Sequence, residues 1–373
     1  MKRLTPIITF YVITFFLLSC SEDNISITDN IDATSEIQLN TLYKIKEVQG
    51  GYIVSGIKDS KLTILKVDVN FNIVWTRNNF DWGNIYNEGG WGGSFYSVDI
   101  VNIIEQDNGN LLCFCSIMQG TDVVCQSTKI VILDKSGNEI RSKDLEDYVL
   151  INATATSDRG YLLFGNDLVK LNSDLSKISG NNDLDYVTSG AYITQTVDNC
   201  IAVTGTWNSE QVYLQKLDKN GNIQWENKNY NQIPFNDLGY DLHQMSNDDF
   251  IIIGRTRNVK EPWDMNCFMI LTNNMGDTIW TKKFGLESDE WLEKFIYTSD
   301  NDFIIKETIG FPDNPNRRAK LLKISGSGEI MESKEISISD EFIYTSSGYF
   351  LKAGKNGDDI LSLAKVQFNN ILD

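Results

Sequence analysis

Histidine is nearly absent from this sequence, which has one, His243, among 373 residues. A histidine-rich metal site is therefore excluded, and a Ser-His-Asp catalytic arrangement would have to use His243 itself. This residue alternates with Leu242 and Gln244 in a predicted inner strand, which favours a packed histidine over a catalytic one. Paired carboxylates stay open as catalytic groups, because 51 acidic residues bring some pairs together by chance in any fold.

Basic side chains are also scarce: 33 Lys and Arg stand against 51 Asp and Glu, for a formal net charge of −18. Nucleic acid is excluded as a partner, because phosphate binding requires concentrated Lys and Arg. The acidic residues are spread along the chain without a dominant block. This is typical of a soluble surface, and cation binding is the alternative interpretation.

Proline is scarce as well, with five residues, and no proline-rich or serine-rich linker divides the chain after its first thirty residues. A single domain is therefore predicted for residues 34–373. That length exceeds the usual size of one hydrophobic core, and a repeat architecture resolves the difficulty. The 18 Phe, 15 Tyr and 8 Trp supply the aromatic content that β-strands favour.

One long apolar run is present, from Ile7 to Leu18, and it follows two basic residues. It is shorter than the roughly 20 apolar residues of a transmembrane helix, so residues 1–19 are predicted to be a cleaved signal peptide. The segment Leu17-Leu18-Ser19-Cys20 resembles the lipobox of bacterial lipoproteins. The resemblance implies that Cys20 carries the acyl chains, palmitate among them, that anchor the mature protein in a lipid bilayer. An ordinary secretory signal is the alternative.

Residues 20–33 are predicted to be this lipidated Cys20 and a flexible polar tether. The tether begins with Ser21-Glu22-Asp23-Asn24, which resembles the acidic export signal of some Gram-negative surface lipoproteins. The resemblance implies an outer-membrane lipoprotein exposed at the cell surface. A tether that is polar only for solvation has the same composition and is the alternative.

Five cysteines follow Cys20 in the sequence: Cys113, Cys115, Cys125, Cys200 and Cys267. An odd number in an exported protein leaves at least one free thiol. Cys115 and Cys125 flank the predicted hairpin turn at Gly120 symmetrically, so a disulfide between them is one hypothesis. Buried free thiols are the other, and pairing among the five stays open.

A short apolar strand that ends in glycine recurs along the chain. Its clear copies are Gly51–Gly56, Gly160–Gly165, Cys200–Gly205 and Asp249–Gly254, and its degenerate copies are Asn110–Cys115, Asp302–Glu307 and Gly348–Gly354. A second strand follows each copy and ends in an Asp-like residue, after which a turn leads to a strand often marked by Trp. The Asp-like residue and the Trp are seven residues apart in three units: Asp68 and Trp75, Asp218 and Trp225, and Asn273 and Trp280. In the unit that contains Asp134, the residue seven positions later is Arg141 instead of Trp.

A further strand precedes each glycine-ending strand, so each unit contains four strands. Units starting near residues 42, 97, 149, 190, 239, 291 and 341 have spacings typical of propeller blades. The last unit lacks its fourth strand, which residues Ser35 to Asn40 are predicted to supply. The predicted fold class is therefore all-β: a seven-bladed β-propeller of four-stranded antiparallel blades, with the N-terminal strand closing the last blade.

The Asp, Gly and Trp spacing resembles the quinoprotein-like and related Trp-marked propeller repeats. The resemblance covers residues 34–373 and, together with the lipobox, implies a surface lipoprotein that carries a propeller. The turn is one residue shorter than the quinoprotein docking motif, so cofactor chemistry is not carried over and no cofactor is expected. Sialidase propellers are less similar, since the sequence has no Ser-x-Asp-x-Gly-x-Thr-Trp box.

Alternating strand directions place the links between blades, and the connections between second and third strands, on one face of the predicted propeller. Most of the long insertions fall there. Their aromatic rings could stack on sugars or pack against a protein, and their Arg side chains could fork onto carboxylates. The candidate ligand-binding residues are Trp82, Tyr86, Trp91, Trp207, Arg255, Arg257, Trp263, Arg317 and Arg318. Covering of blade edges is the alternative role for the aromatic ones.

These observations predict a non-enzymatic lipoprotein of the cell envelope that binds a glycan or a protein ligand through the aromatic loops of one face. A polysaccharide-active hydrolase or lyase, using carboxylates on the same face, is the second interpretation, and a structural scaffold is the third. A test for turnover separates the first two.

Overall fold

The computed structural model describes the greater part of the chain after residue 35. The described residues are 36–82, 86–87, 95–120, 124–165, 167–181, 187–207, 211–219, 221–228, 230, 238–257, 265–284, 290–298, 302–310, 316–338, 341–346, 349–355 and 360–367. Their regular elements are β-strands. No helix in these ranges is long and apolar enough to span a membrane.

The strands form antiparallel four-stranded sheets, which we number along the chain. The first strand, β1 (Glu36–Gln38), belongs to the last sheet. Sheet 1 contains β2 (Thr41–Val48), β3 (Gly51–Lys58), β4 (Lys61–Asp68) and β5 (Ile73–Arg77). Sheet 2 contains an extra edge strand, β6 (Tyr86–Asn87), then β7 (Phe95–Glu105), β8 (Leu111–Gly120), β9 (Val124–Leu133) and β10 (Glu139–Leu145).

The remaining sheets repeat the same order. Sheet 3 contains β11 (Leu150–Ala155), β12 (Tyr161–Gly165), β13 (Leu168–Leu171) and β14 (Lys177–Asn181). Sheet 4 contains β15 (Val187–Gln195), β16 (Ile201–Trp207), β17 (Gln211–Leu217) and β18 (Ile223–Asn227). Sheet 5 contains β19 (Leu238–Gln244), β20 (Phe250–Arg257), β21 (Met265–Thr272) and β22 (Thr278–Phe284). Sheet 6 contains β23 (Glu290–Tyr297), β24 (Phe303–Ile309), β25 (Arg318–Ile324) and β26 (Ile330–Ile336). Sheet 7 contains β27 (Glu341–Tyr344), β28 (Tyr349–Lys355) and β29 (Ile360–Gln367), completed by β1.

Burial along a sheet follows the position of the strand. The second strand is buried throughout in β12, which is apolar, and in β24, which also buries Lys306, Glu307 and Thr308. Both faces of such a strand pack against neighbouring sheets, so neither face is left to solvent. The fourth strand is mostly exposed, as in β5 and β18, because it lies at the outer edge. The first strands of neighbouring sheets lie side by side, β2 with β7 and β15 with β19, and therefore surround the axis.

Apolar clusters hold the sheets to one another. One cluster joins Ile53 and Ile64 of sheet 1 to Ile103 and Val131 of sheet 2. Equivalent clusters join sheets 2 and 3, 3 and 4, 4 and 5, and 5 and 6. Two more join sheet 6 to sheet 7 and sheet 7 back to sheet 1. The hydrophobic core is therefore divided among the contacts between sheets, which is the packing of a β-propeller.

The N-terminal strand closes this ring. β1 pairs antiparallel with β29, with Ile37 opposite Leu361, and so supplies the fourth strand of sheet 7 as the sequence predicts. Ile37 and Leu39 are buried in the cluster between sheets 7 and 1. The pairing covers the edge of β29 that would otherwise offer unpaired backbone groups to another chain.

The Trp of the repeat packs on the glycine of the next sheet's turn. Cβ atoms built at Gly137, Gly276 and Gly328 would lie 2.7, 2.6 and 2.9 Å from the rings of Trp75, Trp225 and Trp280 respectively. The indole N–H of Trp75 also donates to the Lys135 carbonyl at 2.9 Å. The spacing of seven thus serves contact between sheets.

The Asp-like residue of the repeat closes the turn between the third and fourth strands. Asp68 Oδ1 accepts hydrogen bonds from the backbone N–H groups of Asn70 and Asn72, both at 2.8 Å. Asn273 does the same with Met275 and Asp277 at 2.9 and 2.8 Å. A side-chain oxygen that accepts these two donors is what the position requires, so Asp and Asn both fit.

The hypothesis of a disulfide between Cys115 and Cys125 is wrong. The register places Cys115 opposite Lys129 and Cys125 opposite Gln119, because the hairpin is centred beyond Gly120. Cys115 and Cys113 are buried and form no disulfide, and burial raises the pKa of Cys113 to about 12. A thiol with so high a pKa is unreactive at neutral pH.

Replacement of Gly276 by Ala tests the contact between Trp and glycine. Gly276 and Gly50 both have positive φ, 83° and 78°, but a Cβ on Gly50 meets no atom within 4 Å. Gly50→Ala should therefore cost only the backbone strain, about 1 kcal/mol. Gly276→Ala should lower the free energy of unfolding by at least about 1 kcal/mol more, because the methyl group displaces Trp225. Equal losses in denaturant titrations would show that the contact contributes nothing.

Candidate functional site

The propeller has two faces of different character. The link face carries the links between sheets and the connections between second and third strands, such as that between β3 and β4. The turn face carries the tight turns between first and second strands and between third and fourth strands. Those of the predicted ligand-binding residues that the structure describes belong to connections or strand ends of the link face.

Trp82 is the predicted residue with the best-defined surroundings. It follows β5, is partly buried against the cluster between sheets 1 and 2, and packs on Phe80 with ring centroids 5.0 Å apart. Its indole N–H donates to Glu139 Oε2 at 3.3 Å, and Tyr96 Oη donates to its carbonyl at 2.8 Å. Lys129 Nζ lies 5.7 Å from the ring centroid. One part of the ring therefore covers the junction of the sheets, and its orientation is set before any ligand binds.

Two of the predicted arginines have described contacts. The Arg255 guanidinium lies 4.9 Å from the ring centroid of Tyr240, within the range of a cation–π interaction. Arg318 Nε lies 3.5 Å from Glu335 Oε1 in sheet 6, with Arg317 just before it in the chain. Arg255 is in sheet 5 and Arg318 in sheet 6, whereas Trp82 lies at the junction of sheets 1 and 2. The structure thus places these residues on one face but at separate positions around it.

The other predicted residues are described less fully. Tyr86, Trp207 and Arg257 lie in strands, where they pair in register with Tyr96, Gln211 and Met265. Trp91 and Trp263 lie outside the described residues, as does the predicted lipidation site Cys20.

A β-bulge recurs in the first strand of sheets 1, 2, 3, 5 and 6, near its link-face end. The register shifts between Leu42 and Lys44, between Ile100 and Asn102, and at the equivalent points of β11, β19 and β23. A bulge re-aims side chains and is frequent next to binding sites. The bulged residues include Tyr43 and Tyr240, so aromatic side chains lie at this end of the innermost strands.

A group of polar side chains surrounds the first of these bulges. Burial raises the pKa of Asp99, and Lys44 opposes the rise. Burial and the charge of Asp99 raise the pKa of Tyr43 to about 12. Lys44 Nζ donates to the carbonyl of Val101 in the next sheet. The group therefore links the innermost strands of sheets 1 and 2.

Asp241 lies at the corresponding position of sheet 5, directly after the bulge of its first strand. Burial raises its pKa to about 7, although its Oδ1 accepts a hydrogen bond from the Leu242 N–H at 2.8 Å. The charge of Asp241, followed by burial, raises the pKa of Tyr192 in sheet 4. Nothing in the sequence distinguishes Asp241 from its many acidic neighbours, because the shift comes from the packing of sheets 4 and 5.

His243 lies two residues further along the same strand. It is partly buried, its ring centroid is 4.1 Å from that of Tyr297 in sheet 6, and burial lowers its pKa. The residue therefore packs between sheets 5 and 6, as the sequence predicts for a histidine of an inner strand. Within the ranges that the structure describes, no three His, Cys, Asp or Glu side chains gather as a metal site.

Two clefts lie on the opposite, turn face. The larger, of about 560 Å³, lies between sheets 2 and 3 and is lined by Asp107, Ala155 and Arg159 among others. The smaller, of about 160 Å³, lies between sheets 3 and 4, beside Asp158 and Lys170. Both border sheet 3, and sequence reasoning, which looked to the long loops, missed them.

The order of sheets, the clusters between them and the strand that closes the ring are those of a propeller, and the overall fold resembles solved propeller structures. The chain is a β-propeller.

The structure of the Dos1 propeller superposes with a TM-score of 0.51 and 9% identity, over 87% of this chain and 82% of that one. BBS1N, solved in complex with ARL6DN, gives a TM-score of 0.50 and 10% identity over 92% and 95% of the two chains. A member of the DUF4221 family from Bacteroides vulgatus gives 0.41 and 11% over 76% and 98%. Identities this low show likeness of fold alone. No family model matches the sequence, and no curated protein matches it.

Replacement of Asp241 by Asn tests its raised pKa. A carboxyl whose folded pKa lies near 7 and whose unfolded pKa lies near 4 stabilises the fold below pH 4, and this contribution is lost as the pH rises to about 7. Asp241→Asn should remove this loss and raise the free energy of unfolding at pH 8, on the order of 2 kcal/mol. Asp68→Asn is the control, because hydrogen bonds, that of the Asn72 side chain first, lower the pKa of Asp68. Denaturant titrations that show the same slope in all three proteins between pH 4 and 7 would refute the shift.

Proposed function

We propose that this protein is a non-catalytic binding module of the bacterial cell envelope that holds a glycan or a protein ligand on its link face. The observation that carries the proposal is the fixed orientation of Trp82 described above. Phe80, Glu139 and Tyr96 fix the indole while part of its surface stays accessible. A ring held in place loses little entropy when a ligand packs on it, so its contact area contributes to affinity almost in full.

Charge supports the same face. Lys129 lies over Trp82, and Arg255 lies over Tyr240, so each aromatic ring has a cation beside it. Aromatic faces with nearby hydrogen-bond donors suit the apolar faces and hydroxyl groups of a sugar, and they equally suit the amphipathic surface of a protein. BBS1N, which has the same fold, was solved in complex with ARL6DN, and this agrees with binding through a propeller.

We also infer that the ring has seven blades, one for each sheet. The support is that each sheet shares an apolar cluster with the sheet before it and the sheet after it, and that the clusters lead from sheet 7 back to sheet 1.

Trp82→Ala is the direct test of the binding face. The full chain, solubilised in detergent, is screened on an array of plant, host and microbial glycans and against envelope proteins, and the affinity for each hit is then measured. Trp82→Ala should weaken binding about tenfold, because the stacked ring is lost. Trp82→Phe should keep most of the affinity, and Arg141→Gln, on the outer strand of sheet 2, should leave it unchanged. Unchanged affinity in Trp82→Ala would refute the site.

We propose further that acyl chains on Cys20 anchor the protein in the outer membrane, with the propeller at the cell surface. Cys20→Ala should abolish labelling by a fatty-acid probe and move the protein from the membrane to the soluble fraction, since the acyl chains supply the membrane affinity. Cys200→Ala is the control with an equal loss of one thiol. A Cys20→Ala variant that stays labelled would contradict the anchor, and protease treatment of whole cells tests surface exposure separately.

A further inference from the structure

A hydrogen bond between sheets recurs on the turn face. A residue at or next to the end of a first strand reaches the turn after the first strand of the preceding sheet and accepts a backbone N–H there. Glu105 accepts from Gln49 at 2.6 Å, and Gln195 accepts from Ser157 at 2.8 Å. The other described pairs are Glu47 with Ser346 at 2.6 Å and Gln244 with Val197 at 2.8 Å. A carboxylate or amide oxygen therefore occupies this position in sheets 1, 2, 4 and 5, whereas sheets 6 and 7 have Tyr297 and Tyr344 at the same register.

Sheet 3 departs from this pattern. Its residue at the same register is Ala155, which pairs with Tyr161 as Glu105 pairs with Leu111 and Gln195 with Ile201. Alanine has no side-chain acceptor, so the N–H of Asp107 in sheet 2 lacks the partner that its counterparts have. Among the residues that the structure describes, none accepts a hydrogen bond from the Asp107 N–H.

A cleft lies where the missing side chain would be. It has a volume of about 560 Å³, and its walls include Asp107, Asn108, Ala155 and Ser157. Below it, Gln106 Nε2 donates to Tyr161 Oη at 2.8 Å and ties sheets 2 and 3 together. The two sheets are thus held in place beside the gap, so a ligand can fill it without moving them.

Arg159 supplies a positive charge at this cleft. It has a left-handed backbone, with φ of 64°, at the turn position where sheets 2, 4 and 5 have Gly109, Asn199 and Asp248. Small or Asx residues adopt this conformation readily, and a long side chain does so at a cost. Arg159 Nε lies 3.3 Å from Asp107 Oδ2, with both side chains more than 80% exposed. An ion pair so exposed is weak, and the guanidinium can exchange Asp107 for a ligand.

The neighbouring carboxylates already have partners. Glu105 accepts from Gln49, and Asp158 is paired with Lys170 Nζ at 2.5 Å. The donors at the cleft therefore include the Asp107 N–H and, once its exposed pair with Asp107 opens, the guanidinium of Arg159, and two such donors suit the two oxygens of a carboxylate.

We propose that this cleft binds the carboxylate group of a small ligand, which takes the place of the side chain that Ala155 lacks. One carboxylate oxygen accepts from the Asp107 N–H, and the other accepts from Arg159. The ligand is either an acidic sugar or a simple organic acid, which share this group. The site lies on the opposite face from Trp82 and does not depend on the function proposed above.

The test follows the amide signal of Asp107 by NMR in the full chain, solubilised in detergent, during titration with glucuronate or butyrate. Both should shift the signal, and glucose, which has no carboxylate, should not. Tighter binding of glucuronate would identify an acidic sugar as the ligand, and equal binding would identify any organic carboxylate. An Asp107 signal that responds to neither acid would overturn the proposal.

A longer side chain at position 155 should fill the cleft in place of a ligand. Ala155→Glu and Ala155→Gln should restore the hydrogen bond to Asp107, raise the melting temperature by about 2 °C and abolish the response to both acids. Arg159→Asn keeps a residue that tolerates the turn and should weaken carboxylate binding about tenfold, whereas Lys61→Gln, which removes an exposed charge in sheet 1, should have no effect. Undiminished binding in Ala155→Glu, or in Arg159→Asn, would overturn the assignment. Trp82→Ala should leave this binding unchanged, so failure here and failure at the link face are separate results.

Discussion

Apolar packing between neighbouring sheets is the interaction on which this structure depends. The second strands have no exposed face: β3 is buried along most of its length, and β12 and β24 are buried throughout. A sheet of this kind cannot be stable alone in water, since both its surfaces need a partner. Each sheet obtains one partner from the preceding sheet and one from the next, and only a closed ring satisfies every sheet. The polar contacts between sheets then fix their spacing and rotation.

The fold could be predicted from the sequence because the recurring residues of the repeat are those that make these contacts. The spacing from Asp68 to Trp75 is set by a turn that Asp closes and a ring that packs on Gly137. Burial on both sides of the second strand explains the apolar run ending in glycine. The residues that complete sheet 7 could be predicted as well, because the last unit had one strand too few and Ile37 and Leu39 have the alternation of a strand. The disulfide hypothesis failed since it placed the turn at Gly120: moving the centre of a hairpin by two residues moves each cross-strand partner by four.

The candidate sites were harder to predict, for two physical reasons. Aromatic and Arg residues of the long connections could be assigned to one face from strand direction, but their separation around the ring depends on which sheet each belongs to. Trp82 and Arg255 share a face and are still several sheets apart. The cleft at Ala155 is recognised only by comparison with the equivalent residues of other sheets, each of which accepts a backbone hydrogen bond from the preceding sheet. These residues are Glu47, Glu105, Gln195 and Gln244. That comparison needs the register of each first strand, and the bulges near Lys44 and Asn102 shift this register by one residue.

The strand that closes the ring also has a mechanical meaning. β1 has three residues and is held by three register pairs with β29, and the chain before Glu36 continues directly from it. A pull on the N-terminal part of the chain therefore acts first on this short strand and along its length. When a strand is pulled along its length, its hydrogen bonds to the neighbouring strand have to break together. Removal of β1 would also expose the buried side chains of Ile37 and Leu39 to water. A load applied to the N-terminal part of the chain thus reaches this short pairing first, and its release would open sheet 7 before any other sheet.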